Sequence, residues 1–388
     1  MHLIRAGFDG LDISYPLIIS EALAEKIAKG RAVAEDNSTH VQGMFMHNGV
    51  RMHVAPTGAR GGYAYRCDSG FGGSKGEIWF FKHPNGRKDD WGVRVSCKAL
   101  HLAVYGLSAT RARLESVLEK LGLDYVQGSE SIGRVDVAFD VLIAGLEPDR
   151  AQFVAHSRAR VQEISDTLMQ VVGRSGRVES VTIGKNPNRQ VVLYDKRAEV
   201  LATNKPYWWP IWDAALAAQG LPPLDPQDRA ASSVWRVELR AYKRHLKDTW
   251  GVTTWGHLRD ALPAILQTAL NEVRFTMPTS DSNRARWPDH PLWDLVRHAA
   301  AGDLSDLACM VDPAQIDALM KAERDDMLAK QIAGCMLSRA ALNGVSEDRL
   351  GAYAMACADQ IMRDWQGKPE QTRERLAQAR VKYGGVVE

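Results

Sequence analysis

Tyr194 closes the run Gln190-Val191-Val192-Leu193-Tyr194, and Asp195, Lys196, Arg197 and Glu199 follow it. A phenol with an ordinary pKa of about 10 is a poor nucleophile at neutral pH, so it needs a cation, a metal or a base beside it. Lys196, Arg189 and Arg197 are the local candidates for lowering the barrier or holding phosphate. Two further segments carry charge on alternate positions. In Arg134-Val135-Asp136-Val137-Ala138-Phe139-Asp140, a period of two puts Arg134, Asp136 and Asp140 on one face and Val135, Val137 and Phe139 on the other. In Arg236-Val237-Glu238-Leu239-Arg240, Arg236, Glu238 and Arg240 fall together. Asp136 and Glu238 are hard oxygen ligands of the kind Mg²⁺ or Mn²⁺ takes. A solvated sheet face with ordinary Arg–Asp and Arg–Glu pairs fits the same pattern, and periodicity leaves both readings open.

The elements that must position these residues are strands. Ser180–Gly184 and Gln190–Tyr194 read as a hairpin around the turn Lys185-Asn186-Pro187-Asn188. By strand alternation Tyr194 and Lys196 share a side. Phe8–Ser14 reads as a first strand and Glu21–Val33 as a helix behind it. From Gly43 to Leu102, short alternating runs (MFMH, VRMHV, YAYRC, EIWFF, VRVSC) are parted by glycine- and asparagine-rich turns. Thr110–Leu121 is an amphipathic helix. A second pass follows: strand Ile132–Leu142, a helix within Arg150–Val171, the hairpin, strand Val234–Tyr242 and a helix from Trp255 to Val273. Lys205–Ser233 is an aromatic-rich excursion with a short helix; its tryptophans either pack on the sheet, or Tyr207, Trp208 or Trp209 stacks on single-stranded bases.

The expected fold is therefore α+β, with two related strand-helix-sheet halves and largely antiparallel sheets. Residues 1–275 would form the domain carrying the chemistry, split into a β-rich half (1–125) and the half with the tyrosine (126–275). A linker over 276–290 and an all-helical module over 291–388 complete the expectation.

Composition narrows the classes without choosing among them. The net charge of +2 over 388 residues is too small to imply a nucleic-acid partner by itself, so any basic surface must be local. Lys185, Arg189, Lys196 and Arg197 around the hairpin, with Lys243, Arg244 and Lys247 beyond the third strand, are where it would lie. The 5 cysteines are scattered without a CxxC pair, which argues against a disulfide framework or thiolate zinc site. No signal-like start and no membrane-length apolar run is present, so a cytoplasmic protein is expected. The loop GFGGSKG over 70–76 lacks the lysine-into-helix context of a nucleotide cradle.

The segments GRVDVAFDV, VTIGKNPNRQVVLYDKRAEV and VWRVELRAYKRHLKDTWGVTTWGHL, in this order, resemble the Rep_trans replication initiation factors. That family includes rolling-circle plasmid initiators, filamentous-phage replication proteins and relaxases of conjugative elements. The resemblance is best over Gly133–Leu258 and most specific at Leu193-Tyr194-Asp195-Lys196-Arg197-Ala198-Glu199.

It implies a site-specific DNA nicking and joining enzyme whose nucleophile falls on Tyr194, with a 5′-phosphotyrosine intermediate and a free 3′-OH. It also implies a divalent cation, Mg²⁺ or Mn²⁺, held by Asp136 and Glu238 with Asp140 as a further ligand. Lys196 would assist catalysis, and Arg134, Lys185, Arg189, Arg197, Arg236 and Arg240 would contact DNA. For Arg236 and Arg240 a pairing with Asp136 or Asp140 is the alternative. Helicase and polymerase of the host, and a second copy of the chain, are the expected partners besides origin DNA, with no membrane. A conjugative relaxase or a silent DNA-binding regulator on the same fold are the alternative roles. No His-hydrophobic-His motif occurs, so a metal site must rest mainly on carboxylates.

Overall fold

Strands β1 (His2–Tyr15) and β7 (Ser131–Leu142) form the seam on which the first unit is built. They pair antiparallel along most of their length, with irregularities at Leu3/Arg5, Phe8/Gly10 and Asp12/Ile13. The computed structural model describes residues 1–36, 43–70, 73–84, 91–155, 169–174, 176–304 and 307–383.

On one flank of the seam come β6 (Val93–Cys97), β5 (Glu77–Phe81), β4 (Tyr65–Asp68), β3 (Val50–Val54) and β2 (Met44–His47). On the other come β12 (Val234–Tyr242), β11 (Arg189–Asp195), β10 (Arg177–Lys185) and β9 (Met169–Arg174). All are antiparallel neighbours in one sheet, so the two halves expected from the sequence share a single sheet. The order mirrors about the seam. Arg5 on β1 lies opposite Asp140 on β7, and Arg134 on β7 lies opposite Asp12 on β1.

Alternation decides which face is buried. Phe8, Leu11 and Ile13 of β1, Val135, Val137 and Phe139 of β7, and Val237 and Leu239 of β12 are all under 4% exposed and belong to one apolar core. Helices α1 (Glu21–Glu35), α2 (Ala99–Lys120) and α5 (Trp255–Glu272) contribute Leu23, Leu114 and Leu258 to that core. Burying each such side chain contributes about 1.5–3 kcal/mol, which is what fixes strand register here. The opposite face keeps the charged residues.

Two short helices close one end of that polar face: α3 (Lys196–Ala202) and α4 (Trp208–Ala217). A small pair of strands, β8 (Phe153–Ala155) and β13 (Val273–Phe275), forms a second sheet. The helix expected within Arg150–Val171 is met at its described ends by a 3-10 turn, β8 and β9, and residues 156–168 lie outside the described residues.

Residues 276–290, expected as a linker, make specific contacts. Arg274 Nε donates to Asp289 Oδ1 at 2.6 Å, and Trp287 Nε1 to the Asp281 carbonyl at 2.7 Å. Helix α6 (Pro291–Ala300) then buries Leu292, Trp293 and Val296 in the same core. The first compact unit accordingly runs from Met1 to Met310, and α6 belongs to it rather than to the tail.

The second unit, Val311–Glu388, contains α7 (Pro313–Leu342), α8 (Leu350–Gly367) and α9 (Pro369–Tyr383). Asp312 caps α7 by accepting from Ala314 N at 2.9 Å. Ile316, Ala340 and Cys357 are buried, whereas Leu337, Met355, Met362 and Trp365 are exposed. No helix among the described residues is long and apolar enough to cross a membrane.

Candidate active site

Four strands set the site by register alone. Tyr194 on β11 lies opposite Arg236 on β12, Arg236 opposite Asp140 on β7, and Asp140 opposite Arg5 on β1. Further along, Gln190, Arg240, Asp136 and Gly10 form another row, and Glu238 stands between the two rows on β12. All these side chains project from the polar face, as the alternation of β7 and β12 predicts.

The first row is a buried ionic cluster. Arg236 is fully buried, donates from Nη2 to Asp140 Oδ2 at 2.8 Å and from Nε to Asp140 Oδ1, and reaches Asp9 Oδ1 from Nη1 at 2.7 Å. Trp212 Nε1 donates to Asp140 Oδ2 at 2.9 Å. The Trp208 ring lies over three cations: Arg236 Cζ at 4.6 Å, Arg5 Cζ at 4.9 Å and Lys196 Nζ at 4.9 Å. Burial alone would lower the Arg236 pKa, but Asp140 and Asp9 hold it well above its ordinary value. For Asp140 burial works upward, and Arg236 overrides it and keeps the carboxyl below the usual range. Both partners are thus charged.

The second group is open. Arg134 grips Asp136 (Nε to Oδ1 2.9 Å, Nη2 to Oδ2 2.6 Å), and Arg240 grips Glu238 (Nε to Oε1 2.8 Å, Nη2 to Oε2 3.2 Å). Burial pushes the Asp136 carboxyl up to about 7, with Arg134 opposing and Glu238 and Asp9 reinforcing the rise. Gly10 leaves room for this carboxylate, because a Cβ there would come within 2.6 Å of Asp136 Oδ2. A cleft of about 280 Å³ joins Asp9, Asp136, Tyr194, Lys196, Glu238 and Arg240.

Tyr194 lines the cleft and makes no hydrogen bond through its hydroxyl among the described residues. Burial raises its pKa well above the ordinary phenol value, with Arg236 the leading opposing charge. Lys196 reaches the cleft from a helix rather than along the strand. Asp195 caps α3 by accepting from Ala198 N at 2.9 Å, which turns the chain at Lys196. Its Nζ stands 5.8 Å from the Tyr194 ring centre and donates to Glu199 Oε2 at 2.6 Å. Glu199 also accepts from Lys205. Burial and Arg236 bring the Lys196 pKa down to about 8 against Asp9, Glu199 and Asp140.

That shift has a stability consequence. Between about 8 and the ordinary 10.5 the unfolded chain keeps a proton that the folded chain has released, so Lys196 disfavours folding below pH 8 and the penalty fades toward pH 10.5. Lys196→Met is expected to stabilise the protein at pH 7 by roughly 1–3 kcal/mol, since one pKa unit is worth about 1.4 kcal/mol and the Glu199 contact is lost. Thermal melts at pH 7 and pH 10 check this. A variant that is less stable at pH 7, or equally favoured at both pH values, contradicts it.

Several expected site residues stand elsewhere. Asp140 cannot serve as a metal ligand while both its oxygens serve Arg236 and Trp212. Arg236 is sealed from solvent and so does not contact DNA. Arg189 pairs with Glu272 at 2.7 Å, and Arg197 donates to Ser232 Oγ at 2.8 Å and the Pro226 carbonyl at 2.7 Å, both directed away from the cleft. Lys185 sits exposed at the hairpin turn and does not line the cleft. Arg134 and Arg240 do line it. Of the aromatic residues considered for base stacking, Tyr207 and Trp208 are buried and closed to a base, and Trp209, half-buried, packs edge-on against Trp212 at 5.2 Å.

Sequence reasoning missed Arg5, Asp9 and the role of Gly10, and it noted Glu199 without giving it a role. Arg5 and Asp9 are four apart on β1, and the irregularity between Phe8 and Gly10 brings Asp9 onto the charged face. The FDG triplet was the available signal.

A divalent cation would fit this donor set only with the arginines displaced. Among the described residues no three or more His, Cys, Asp or Glu side chains group as a metal site. Asp136 and Glu238 face one cleft, but Arg134 and Arg240 occupy both oxygens of each, so either could ligate Mg²⁺ only after its arginine moved off.

No family model matches the chain, and no curated protein matches it. It is similar to the solved structure of the rolling circle replication initiator protein from Geobacillus stearothermophilus, at 13% identity and a TM-score of 0.40 over 79% of this chain and 99% of that one. That degree of likeness does not bear on the chemistry, and the Rep_trans resemblance rests on its motifs.

Proposed function

We propose that this chain nicks and rejoins one DNA strand through Tyr194, starting rolling-circle replication of a plasmid or phage. The observation that carries the reading is the cleft itself. An unengaged tyrosine hydroxyl shares it with a lysine of lowered pKa and with two carboxylates, each gripped by an arginine. The motif resemblance supplies the substrate class.

In this mechanism Tyr194 Oη forms a bond to phosphorus as the bond from phosphorus to the 3′ oxygen breaks, leaving a 5′-phosphotyrosine and a free 3′-OH. Lys196, partly neutral near its pKa of about 8, accepts the phenol proton, and the departing 3′ oxygen takes one from water. Arg236 supports the developing phenolate with a fixed positive charge that Asp140 and Asp9 hold in place. Arg134 and Arg240, on leaving Asp136 and Glu238, would turn their guanidinium forks to the phosphate oxygens. Asp136 and Glu238, freed by that exchange, would hold Mg²⁺ or Mn²⁺, which would supply polarisation of the scissile phosphate. Rejoining reverses these moves, with the Lys196 ammonium returning its proton to the phenolate.

The test is covalent capture. Purified protein is incubated with labelled single strands from the replicon that encodes it, with Mg²⁺ or Mn²⁺, and resolved under denaturing conditions. A DNA-shifted band whose nucleotide-bearing peptide maps to Tyr194 is expected. An adduct on another residue, or no adduct from either strand, overturns the proposal.

A further inference from the structure

Beyond the cleft, the polar face of the sheet continues over β1, β6, β5 and β4, and its cations lie on aromatic rings. Arg94 Cζ stands 4.1 Å from the Phe80 ring centre and 5.2 Å from that of Tyr63. Lys243 Nζ lies 5.5 Å from Trp91, and Arg134 Cζ 5.3 Å from Tyr242. Tyr63 Oη donates to the Trp91 carbonyl at 3.1 Å and ties two of these rings together. Register sets these residues in rows, with Phe80 itself buried under its neighbours. Ser131, Ser14, Arg94, Phe80 and Arg66 form one row across five strands, and Tyr242, Arg134, Asp12 and Ser96 form the next.

The charges here differ from those elsewhere in the first unit. Arg189, Arg236, Arg240 and Arg274 each have a carboxylate partner, as does Arg134 where this face meets the cleft. Among the described residues Arg94, Arg66 and Lys243 have none, and the Arg94 Nε is buried without an acceptor. A guanidinium pinned on a ring is held in place yet keeps its donors unspent. Trp91 is 37% exposed and offers part of a ring face. The acidic exceptions are Asp12, opposite Arg134, and Asp68, which pairs with Lys98 at 2.7 Å.

We infer that this face is a track for single-stranded DNA, running from Arg66 and Arg94 past Trp91 and Lys243 to Arg134 at the cleft. It deepens the proposed function and rests on it for the choice of DNA. Unpaired cations at intervals match a phosphate backbone, and a partly open tryptophan between them suits an unpaired base. From β4 to β7 the track crosses four strand spacings, about 19 Å. That length serves a few nucleotides of single strand, within the roughly 4–16 that such grooves take.

The test is binding, read apart from chemistry. Anisotropy of a fluorescein-labelled oligothymidylate of about 20 nucleotides is titrated at several salt concentrations. Arg94→Gln combined with Lys243→Gln is expected to weaken binding about tenfold and flatten the salt slope by about 1.4, two phosphate contacts at about 0.7 each for single strands. Trp91→Ala is expected to weaken it severalfold with the slope unchanged. Lys243→Gln alone, at an exposed position, gives a reading should the double variant fold poorly, with a slope change of about 0.7.

Affinity within about twofold of wild type and an unchanged slope, in variants with normal melting, overturn the track. So does a tighter, Arg94-dependent complex with oligouridylate or duplex. Loss of affinity in the double variant, with no capture by wild type, retires the proposed reaction and leaves the track standing.

Discussion

Arg236→Met is expected to cost about 3–5 kcal/mol of folding stability, the usual penalty for removing one partner of a buried ion pair. The substitution leaves Asp140, which is fully buried, and Asp9 without their main counter-charge, while Trp212 still donates to Asp140. The remaining carboxylates make the loss pH-dependent. Both have folded pKa values below the ordinary 3.8, so the stability they contribute through Arg236 is present above that value and is lost as pH falls through their folded values. Without Arg236 they are pushed to protonate, and the variant's deficit should narrow between pH 7 and pH 4. Urea unfolding at the two pH values reads this out. Adding Asp140→Leu to Arg236→Met should recover part of the loss, because an uncompensated charge is most of the cost. A deficit below about 1 kcal/mol, or one that grows in acid, would show that the cluster does not depend on Arg236.

Tyr194→Phe should separate activity from stability in the opposite sense. The hydroxyl has no hydrogen-bond partner among the described residues, so its removal is expected to change stability by no more than about 0.5 kcal/mol. Covalent capture is expected to fall below detection, a loss of at least about a thousandfold, because the nucleophile itself is gone. Tyr207 is the informative control. It also lines the cleft, but it is 6% exposed and its pKa is raised to about 12 by burial. Tyr207→Phe is expected to keep capture. Should Tyr194→Phe still form the adduct while Tyr207→Phe does not, the nucleophile is Tyr207 and the assignment fails.

The parts of the site that were legible in the sequence are those with unbroken strand periodicity. Asp136, Glu238, Arg134 and Arg240 fall on one face because β7 and β12 pair without a shift in register. Asp9 was hidden by the irregularity in β1, where counting by two fails. Lys196 was placed beside Tyr194 by an alternation that does not operate there, since α3 begins at that residue. Lys185, Arg189 and Arg197 look like a DNA-binding run only while their partners are unknown. Glu272 and Ser232, far along the chain, take up two of them. Trp293 shows the same limit at a boundary. Its indole donates to the Leu270 and Val273 carbonyls, which binds α6 to the first unit in a way no local pattern announces.

The seam between β1 and β7 constrains how such a protein can vary by recombination. Arg5 and Asp9 lie in the first 15 residues, and their partners Asp140 and Arg236 come after residue 130. A crossover anywhere between the two halves would part a guanidinium from its carboxylates unless the incoming partner carried the same pair. The halves can diverge at their outer strands, but across the seam they must be inherited together.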